Sequence, residues 1–378
     1  MLDPPEPAAA APESPARHWR WDDQIEAFAA LHRGNGALIG RVVIVARGFD
    51  TVVVEDGREL LADRSTAAYR GAIRDGAPAV GDWVAVAYDG SSPAIVAIAP
   101  RRGVIVRRDP SERVTAQVVA ANIDTVFCVF GLDRELRPRR LDRVLALVHE
   151  GGAEPVLVLT KGDLSPTGIT PQDVVTDPAV LAGLACHVVS IKTGEGLDHL
   201  LTYLTPGRTV ALLGESGAGK SSLVNALTGR DRAEVGEVRE RDHRGRHTTT
   251  ARRLFVLPGG GSLIDTPGVR SLGLWSDGDG VDEAFGDVAA LAATCRFRDC
   301  HHHDEPGCAV RAAVRDGRLS SVRLNAYRNL RAELQTVESR KEEGRRLRGE
   351  GRRPPLRRSR RRASVDDDED EAGPDEEA

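Results

Sequence analysis

Val210-Ala211-Leu212-Leu213-Gly214-Glu215-Ser216-Gly217-Ala218-Gly219-Lys220-Ser221-Ser222 is the stretch from which the rest of the chain can be read. Its first four residues form a short apolar run of the kind that makes a buried strand. Gly214 to Ser221 spell G-x-x-x-x-G-K-[ST]; beyond them Leu223, Val224, Ala226 and Leu227 fall on one helical face, with Gly229 where a helix C-cap belongs. Strand, glycine loop and helix in that order make a phosphate cradle. Backbone N–H groups and the helix N-terminus face the anion, Lys220 reaches the β and γ oxygens, and the Ser221 hydroxyl ligates Mg²⁺. Gly214, Glu215, Ser216, Gly217, Ala218, Gly219, Lys220, Ser221 and Ser222 are the expected phosphate-side contacts, but they do not choose the base.

Upstream, from Asn122, long apolar runs alternate with helical stretches: NIDTVFCVF, PRRLDRVLALVHEGG, PVLVLTKGDL and CHVVSIKTGEGL. Continuous apolar strands are buried on both faces, which predicts a parallel α/β sheet. Thr160-Lys161-Gly162-Asp163 follows one such strand, at the carboxyl end where open α/β sheets bind ligands. The Asp163 carboxylate can accept from both N1–H and the exocyclic amino group of guanine, a donor pair that adenine lacks. A site built on that pairing rejects the wrong base because its acceptors would be left unpaired. Ser190-Ile191-Lys192-Thr193-Gly194 follows a second strand and supplies Ser190 and Lys192 as further base-side candidates.

Downstream, Asp265-Thr266-Pro267-Gly268 ends a strand where a P-loop enzyme needs a carboxylate for Mg²⁺, with the Gly268 N–H available to the γ-phosphate. Between loop and DTPG lies Arg246-His247-Thr248-Thr249-Thr250, in which Thr249 and Thr250 are the candidates to complete the Mg²⁺ shell. The position after DTPG, where a water-orienting Gln is common, is Val269, which cannot hydrogen-bond. His247 is the nearest group able to orient the attacking water and is the candidate catalytic residue.

Cys295, Cys300, His302 and Cys308 make C-x₄-C-x-H-x₅-C, the ligand set of a closed tetrahedral and therefore structural zinc site, with His301 and His303 flanking the histidine. Three of the five cysteines lie here, which fits a metal better than a disulfide framework. From Gly40 to about Arg101, short strands punctuated by Gly, Asp and Pro predict a small barrel. Arg41, Arg47, Arg101, Arg102, Arg107 and Arg108 would give it basic ends, and such barrels often bind oligonucleotides. Trp83 is expected to pack the barrel.

The bulk composition, 40% hydrophobic and 29% charged over 378 residues, is that of ordinary globular protein with two or three domains. No run of 18 apolar residues and no secretory signal is present, so a cytoplasmic protein without membrane attachment is expected. The net charge of −5 conceals segregation: residues 341–362 hold eleven Lys/Arg against three Glu, and 366–377 hold nine Asp/Glu. Residues 1–17 and 345–378 are expected to be disordered tails.

The order of motifs, base loops before phosphate loop before DTPG, reverses the usual GTPase order and implies a circular permutation. VGDWV, TKGD, S-x-KTGEGL, GESGAGKSSL, GRHTTT, DTPGVR and CRFRDCHHHDEPGC together resemble the circularly permuted GTPases of the ribosome small subunit-dependent GTPase A family, RsgA or YjeQ, over about residues 35–335. The resemblance implies an N-terminal OB-fold (18–110), a permuted P-loop GTPase domain (111–281) and a helical zinc module (282–344). It implies GTP as substrate and GDP as product, Mg²⁺ and one structural Zn²⁺. Binding to the small (30S) ribosomal subunit and its rRNA late in maturation, with hydrolysis stimulated by the subunit, follows from it as well. Carried over by motif, Lys220 and Ser221 serve phosphate and Mg²⁺, Lys161 and Asp163 read guanine, and His247 stands beside the hydrophobic Val269. Thr160 stands where many GTPases have Asn, and Ile191 departs from the common Ser-Ala form, so base affinity is expected to be modest. A monomer is expected. The rival readings are an RNA-binding protein whose nucleotide only regulates affinity and an ATP-dependent P-loop enzyme, against which TKGD argues.

Overall fold

The computed structural model describes residues 19–46, 48–72, 76–108, 116–165, 170–175, 177–229, 252–266 and 279–347. Helix α1 (Asp23–Arg33) comes first, capped by Asp22, which accepts from the Ile25 N–H at 3.0 Å. Strands β1 (Leu38–Val45), β2 (Phe49–Val54) and β3 (Glu59–Asp63), helix α2 (Ala67–Ala72), and strands β4 (Trp83–Asp89) and β5 (Ser92–Ile98) then build a five-stranded, partly open barrel of the OB type. Its pairs are β1 with β2 and β4, β2 with β3, and β4 with β5, all antiparallel; β3 lies against β5 across the seam. Val42, Val52, Val54, Ala62, Val84, Val86 and Ile95 fill the interior.

Trp83 does not join that interior. Because side chains alternate across a strand, Val84 and Val86 point into the barrel while Trp83 points out, edge-on to Trp19 and Trp21 at 5.8 and 5.0 Å. Two of the arginines expected at basic barrel ends are likewise committed elsewhere. Arg41 is buried, and Arg101 clamps the buried Asp82 with two bonds of 2.8 and 2.7 Å.

β6 (Val104–Arg108) and β7 (Ala116–Ala121) pair as an antiparallel hairpin that crosses the domain boundary expected at residue 110. The nucleotide-binding half follows: β8 (Thr125–Gly131), α3 (Pro138–Glu150), β9 (Glu154–Thr160), the short helices α4 (Pro171–Val174) and α5 (Pro178–Leu181), β10 (Ala185–Val188), α6 (Leu197–Leu201), β11 (Thr209–Gly214), α7 (Lys220–Thr228), β12 (Arg252–Val256) and β13 (Ser262–Asp265). Five of these strands form the expected parallel sheet in the order β10-β9-β8-β11-β13. Val126, Cys128 and Phe130 of β8 face one core and Phe127 and Val129 the other, which is why the strand reads as an unbroken apolar run.

β12 runs antiparallel to β13, and its other side pairs with β1 at Ile44↔Arg253 and Val45↔Arg252. A register shift between Val42 and Ile44 lets β1 serve β4 with its first half and β12 with its second. Barrel and parallel sheet are thereby one continuous 11-stranded sheet.

The last helices are α8 (Asp279–Ala284), α9 (Gly286–Ala292), α10 (Ala309–Arg315) and α11 (Ser321–Leu347). α11 continues to Leu347, past the boundary expected at 344. This module packs on α3. Ala146 joins the core of Phe285, Val310, Leu324 and Tyr327, and Arg323, only 3% exposed, bridges Asp142 of α3 (2.9 Å) and Asp287 of α9 (3.0 Å) with its guanidinium 4.0 Å from the Phe285 ring centroid. Among the described residues no helix is long and apolar enough to cross a membrane.

Candidate nucleotide site and metal centre

In the parallel sheet the chain runs outward from β8 to β9 to β10, then returns to place β11 on the other side of β8. That reversal is a topological switch point, and the crevice at the carboxyl ends of the strands beside it is where such sheets bind ligands. Three loops meet there: one after β8, Thr160–Asp163 after β9, and Gly214–Ser222 after β11.

The phosphate loop has the conformation its glycines permit. A side chain at Gly214 would lie 2.3 Å from the Val129 carbonyl oxygen of the adjacent strand, and Gly219 enters α7 at φ +89°, a left-handed conformation that L side chains avoid. Lys220 is buried and donates to the carbonyl oxygens of Gly214 and Glu215 at 2.7 Å each. Burial lowers its pKa, with Asp265 and Glu215 pulling it back up; burial raises that of Asp265, with Lys220 opposing. Cation and carboxylate thus influence each other at the ends of neighbouring strands β11 and β13. Thr266, next to Asp265, donates its hydroxyl proton to the Leu212 carbonyl and fixes this strand end against β11.

The base-side loops are tied to the phosphate loop. The buried Thr160 hydroxyl is 2.6 Å from the Ala218 carbonyl and 3.2 Å from that of Phe130. Lys161 adopts φ +63°, an uncommon conformation for a residue with a side chain, and its Nζ donates to the Gly217 carbonyl at 2.8 Å. The Ser190 hydroxyl donates to Asp163 Oδ1 at 2.9 Å, and Lys192 Nζ lies 4.0 Å from Asp163 Oδ2. The two loops nominated from sequence therefore meet at Asp163, leaving Oδ2 beside Lys192 and Oδ1 held by Ser190.

Asp133 escaped the sequence reading, as did Arg134 and Arg140, the arginines beside Glu215. Asp133, just beyond β8, accepts from Lys161 Nζ at 2.8 Å; that bond, with help from Arg134, holds its carboxyl down at about 2. Its position after a parallel strand was the available signal. Glu215 is gripped by Arg140 of α3 and approached by Arg134 at 3.8 Å, beside a cleft of about 220 Å³ lined by Phe130, Arg137 and Ala218. His247, Thr249, Thr250 and Gly268 lie outside the described residues.

In the C-terminal module the ligand atoms of Cys295, Cys300, His302 and Cys308 all lie within 4.8 Å of one another. His302 Nδ1 is 3.7 Å from Cys295 Sγ and 3.5 Å from Cys308 Sγ, and those two sulfurs are 3.9 Å apart. A tetrahedron with metal–sulfur bonds of about 2.3 Å has edges of about 3.8 Å, so the donor set fits a zinc-sized ion. The flanking His301 and His303 stand outside the cluster, where their backbone N–H groups bond the Glu305 carboxylate at 2.9 and 2.7 Å.

A family model described as RsgA GTPase matches residues 98–275. A Streptomyces coelicolor protein named small ribosomal subunit biogenesis GTPase RsgA is 45% identical over 84% of this chain and 86% of its own length. The chain belongs to the RsgA family. A Xylella fastidiosa protein of the same name is 51% identical over 68% of this chain and 75% of its own. Among solved structures, YjeQ from Thermotoga maritima matches with a TM-score of 0.59 at 27% identity, covering 79% of this chain and 99% of that one. A second, YloQ, described as a circularly permuted GTPase, matches with a TM-score of 0.54 at 25% identity, covering 81% and 96%.

Proposed function

We propose that this RsgA-family chain hydrolyses GTP to GDP and phosphate, and that it acts on the small ribosomal subunit during its biogenesis, binding the subunit's rRNA. The observation that supports the chemistry is that Asp163 meets Ser190 and Lys192 in a turn whose Thr160 and Lys161 are bonded to the Gly214–Ser222 loop at one switch point. The names of the relatives support the ribosomal role.

In this reading Asp163 selects guanine, Lys161 and Thr160 brace the base loop on the phosphate loop, and Lys220 with the loop N–H groups holds the β and γ phosphates. Ser221 and Asp265, with Thr249 or Thr250, would hold Mg²⁺, which supplies charge neutralisation at the phosphates when bound. Gly268 contacts the γ-phosphate and His247 orients the attacking water. Cys295, Cys300, His302 and Cys308 hold a structural zinc ion. The protein works as a cytoplasmic monomer.

The test is GTP turnover with and without purified small subunits, repeated with His247→Ala. Stimulation by the subunits and its loss in the variant are expected. Absent stimulation would remove the ribosomal role, and normal stimulated turnover in the variant would remove His247.

A further inference from the structure

At the other end of β11 from the phosphate loop lies a second cavity, of about 230 Å³, whose walls include Arg20, Arg41, Arg102, Asp124, Arg208 and Thr209. Thr209 opens β11 and Gly214 closes it, so at about 3.3 Å per residue roughly 16 Å of strand separates the cavity from the nucleotide site.

The charges around this cavity do not balance. Arg20 and Arg208 share one oxygen of Asp124, at 3.0 and 3.4 Å, and Arg102 pairs with Asp22 at 2.5 Å. Arg41 has no carboxylate of its own. Its Nε donates to the Gly81 carbonyl at 3.1 Å, and its Nη2 to the Asn122 carbonyl at 3.3 Å and the Thr209 hydroxyl at 2.9 Å. None of these three bonds uses Nη1. The side chain is 2% exposed and packed beside Trp19 and Trp83, with its guanidinium 5.6 and 5.9 Å from their ring centroids. Burial pushes the guanidinium down to about 10, against the pull of Asp124 and Asp82. Four guanidinium groups therefore stand against two carboxylates, and the buried member, Arg41, is hydrogen-bonded to neutral oxygens.

A buried charge without a counter-ion is costly, and a guanidinium fork matches the oxygens of a phosphate. The cavity, at about 230 Å³, is below the roughly 300 to 1,000 Å³ of sites for drug-sized ligands and suits a single small anion. We propose that this cavity is a second anion site that takes a phosphate group, either inorganic phosphate or a backbone phosphate of an RNA strand. Arg41 and Arg102 reach it from the barrel side and Arg208 from the head of β11, so the bound anion ties the two halves of the continuous sheet together.

The test uses the full chain with its nucleotide site saturated by GDP, at constant ionic strength. Inorganic phosphate is titrated while its ³¹P line width and the protein's melting temperature are followed. Saturable binding is expected, weakened about tenfold by Arg208→Gln, the factor set by one lost charge-assisted hydrogen bond. Arg41→Met should abolish it. Arg208 is half-exposed, at 53%, and its variant decides the question alone should Arg41→Met fail to fold. A short single-stranded RNA without terminal phosphates is then added: displacement of the inorganic ion assigns the site to backbone phosphate, and its retention assigns it to the free anion. Non-saturable binding, or equal affinity in wild type and Arg208→Gln, would overturn the proposal.

Discussion

In the nucleotide site, side chains from four loops bond to neighbouring side chains and backbone carbonyls: Thr160 to Ala218, Lys161 to Gly217 and Asp133, Ser190 to Asp163, Lys220 to Gly214 and Glu215. In the Cys₃His centre the four ligand atoms converge on turns between α9 and α10, where regular structure is nearly absent from 293 to 308. Three thiolates and an imidazole so close together repel or protonate unless a cation neutralises them. The difference is one of scaffold. The loops of the first site stand on the ends of a parallel sheet and are bonded to one another, whereas the second cluster stands on turns and, in the proposed reading, takes its support from a zinc ion.

The largest expected effect is on that contrast. Stripping the metal with a chelator, or making Cys300→Ser, should unfold residues 293–316, since structural zinc contributes on the order of 10 kcal/mol in small modules. Hydrogen exchange should show lost protection there while GDP affinity stays within a few-fold of wild type. Full protection after complete metal removal would show that the core around Phe285 and Tyr327 holds the module unaided.

The next effect lies in the other region. Asp163→Asn replaces two acceptors by one acceptor and one donor, so guanine loses a partner while a base with a carbonyl in place of the amino group gains one. GTP should lose on the order of 10⁴ in discrimination against XTP, as expected where a site is built on a hydrogen-bonded pair. Competition between the two triphosphates measures it, and unchanged selectivity would remove Asp163 from the base site.

Much of this arrangement was legible because the chemistry lies in short contiguous motifs. Gly214–Ser222, Thr160–Asp163 and the Cys/His spacing each carry their own local geometry, and β8, β9 and β11 announce themselves as unbroken apolar runs. What escaped depends on tertiary pairing. Nothing local to Val42–Ile44 indicates that β1 turns from β4 to β12, and the alternation that turns Trp83 outward depends on which face meets the barrel. Arg41 reads as a surface cation because arginine is rarely buried, and only the fold brings Gly81, Asn122 and Thr209 around it.

A third effect tests the seam between the two regions. Asp142 of α3 is buried against Arg323, and burial raises its carboxyl to about 6, Asp177 and Asp287 adding to the rise and Arg323 opposing it. The folded protein therefore holds a proton that the unfolded chain releases between about pH 4 and 6. This contribution is fully present below about pH 4 and is lost as pH rises through 6, by up to about 3 kcal/mol. Asp142→Asn removes it, so the difference in denaturation midpoint between wild type and variant should change across that window. Parallel curves would place the proton elsewhere.

The smallest effect probes how the loops of the nucleotide site are held together. Thr160→Val keeps the shape of a buried side chain and deletes the hydroxyl that bonds the Ala218 and Phe130 carbonyls. The Ala218 carbonyl belongs to the phosphate loop, so the loop and the base-reading turn keep the Lys161–Gly217 bond but lose this one and leave a buried acceptor unmet, at a cost of about 1 to 3 kcal/mol. If the turn is preorganised through this bond, GDP affinity should fall about tenfold. Thr160→Ser, which keeps the hydroxyl and loses only a methyl, should restore most of it. Equal weakening by Val and Ser would show that packing rather than the hydrogen bond positions Asp163.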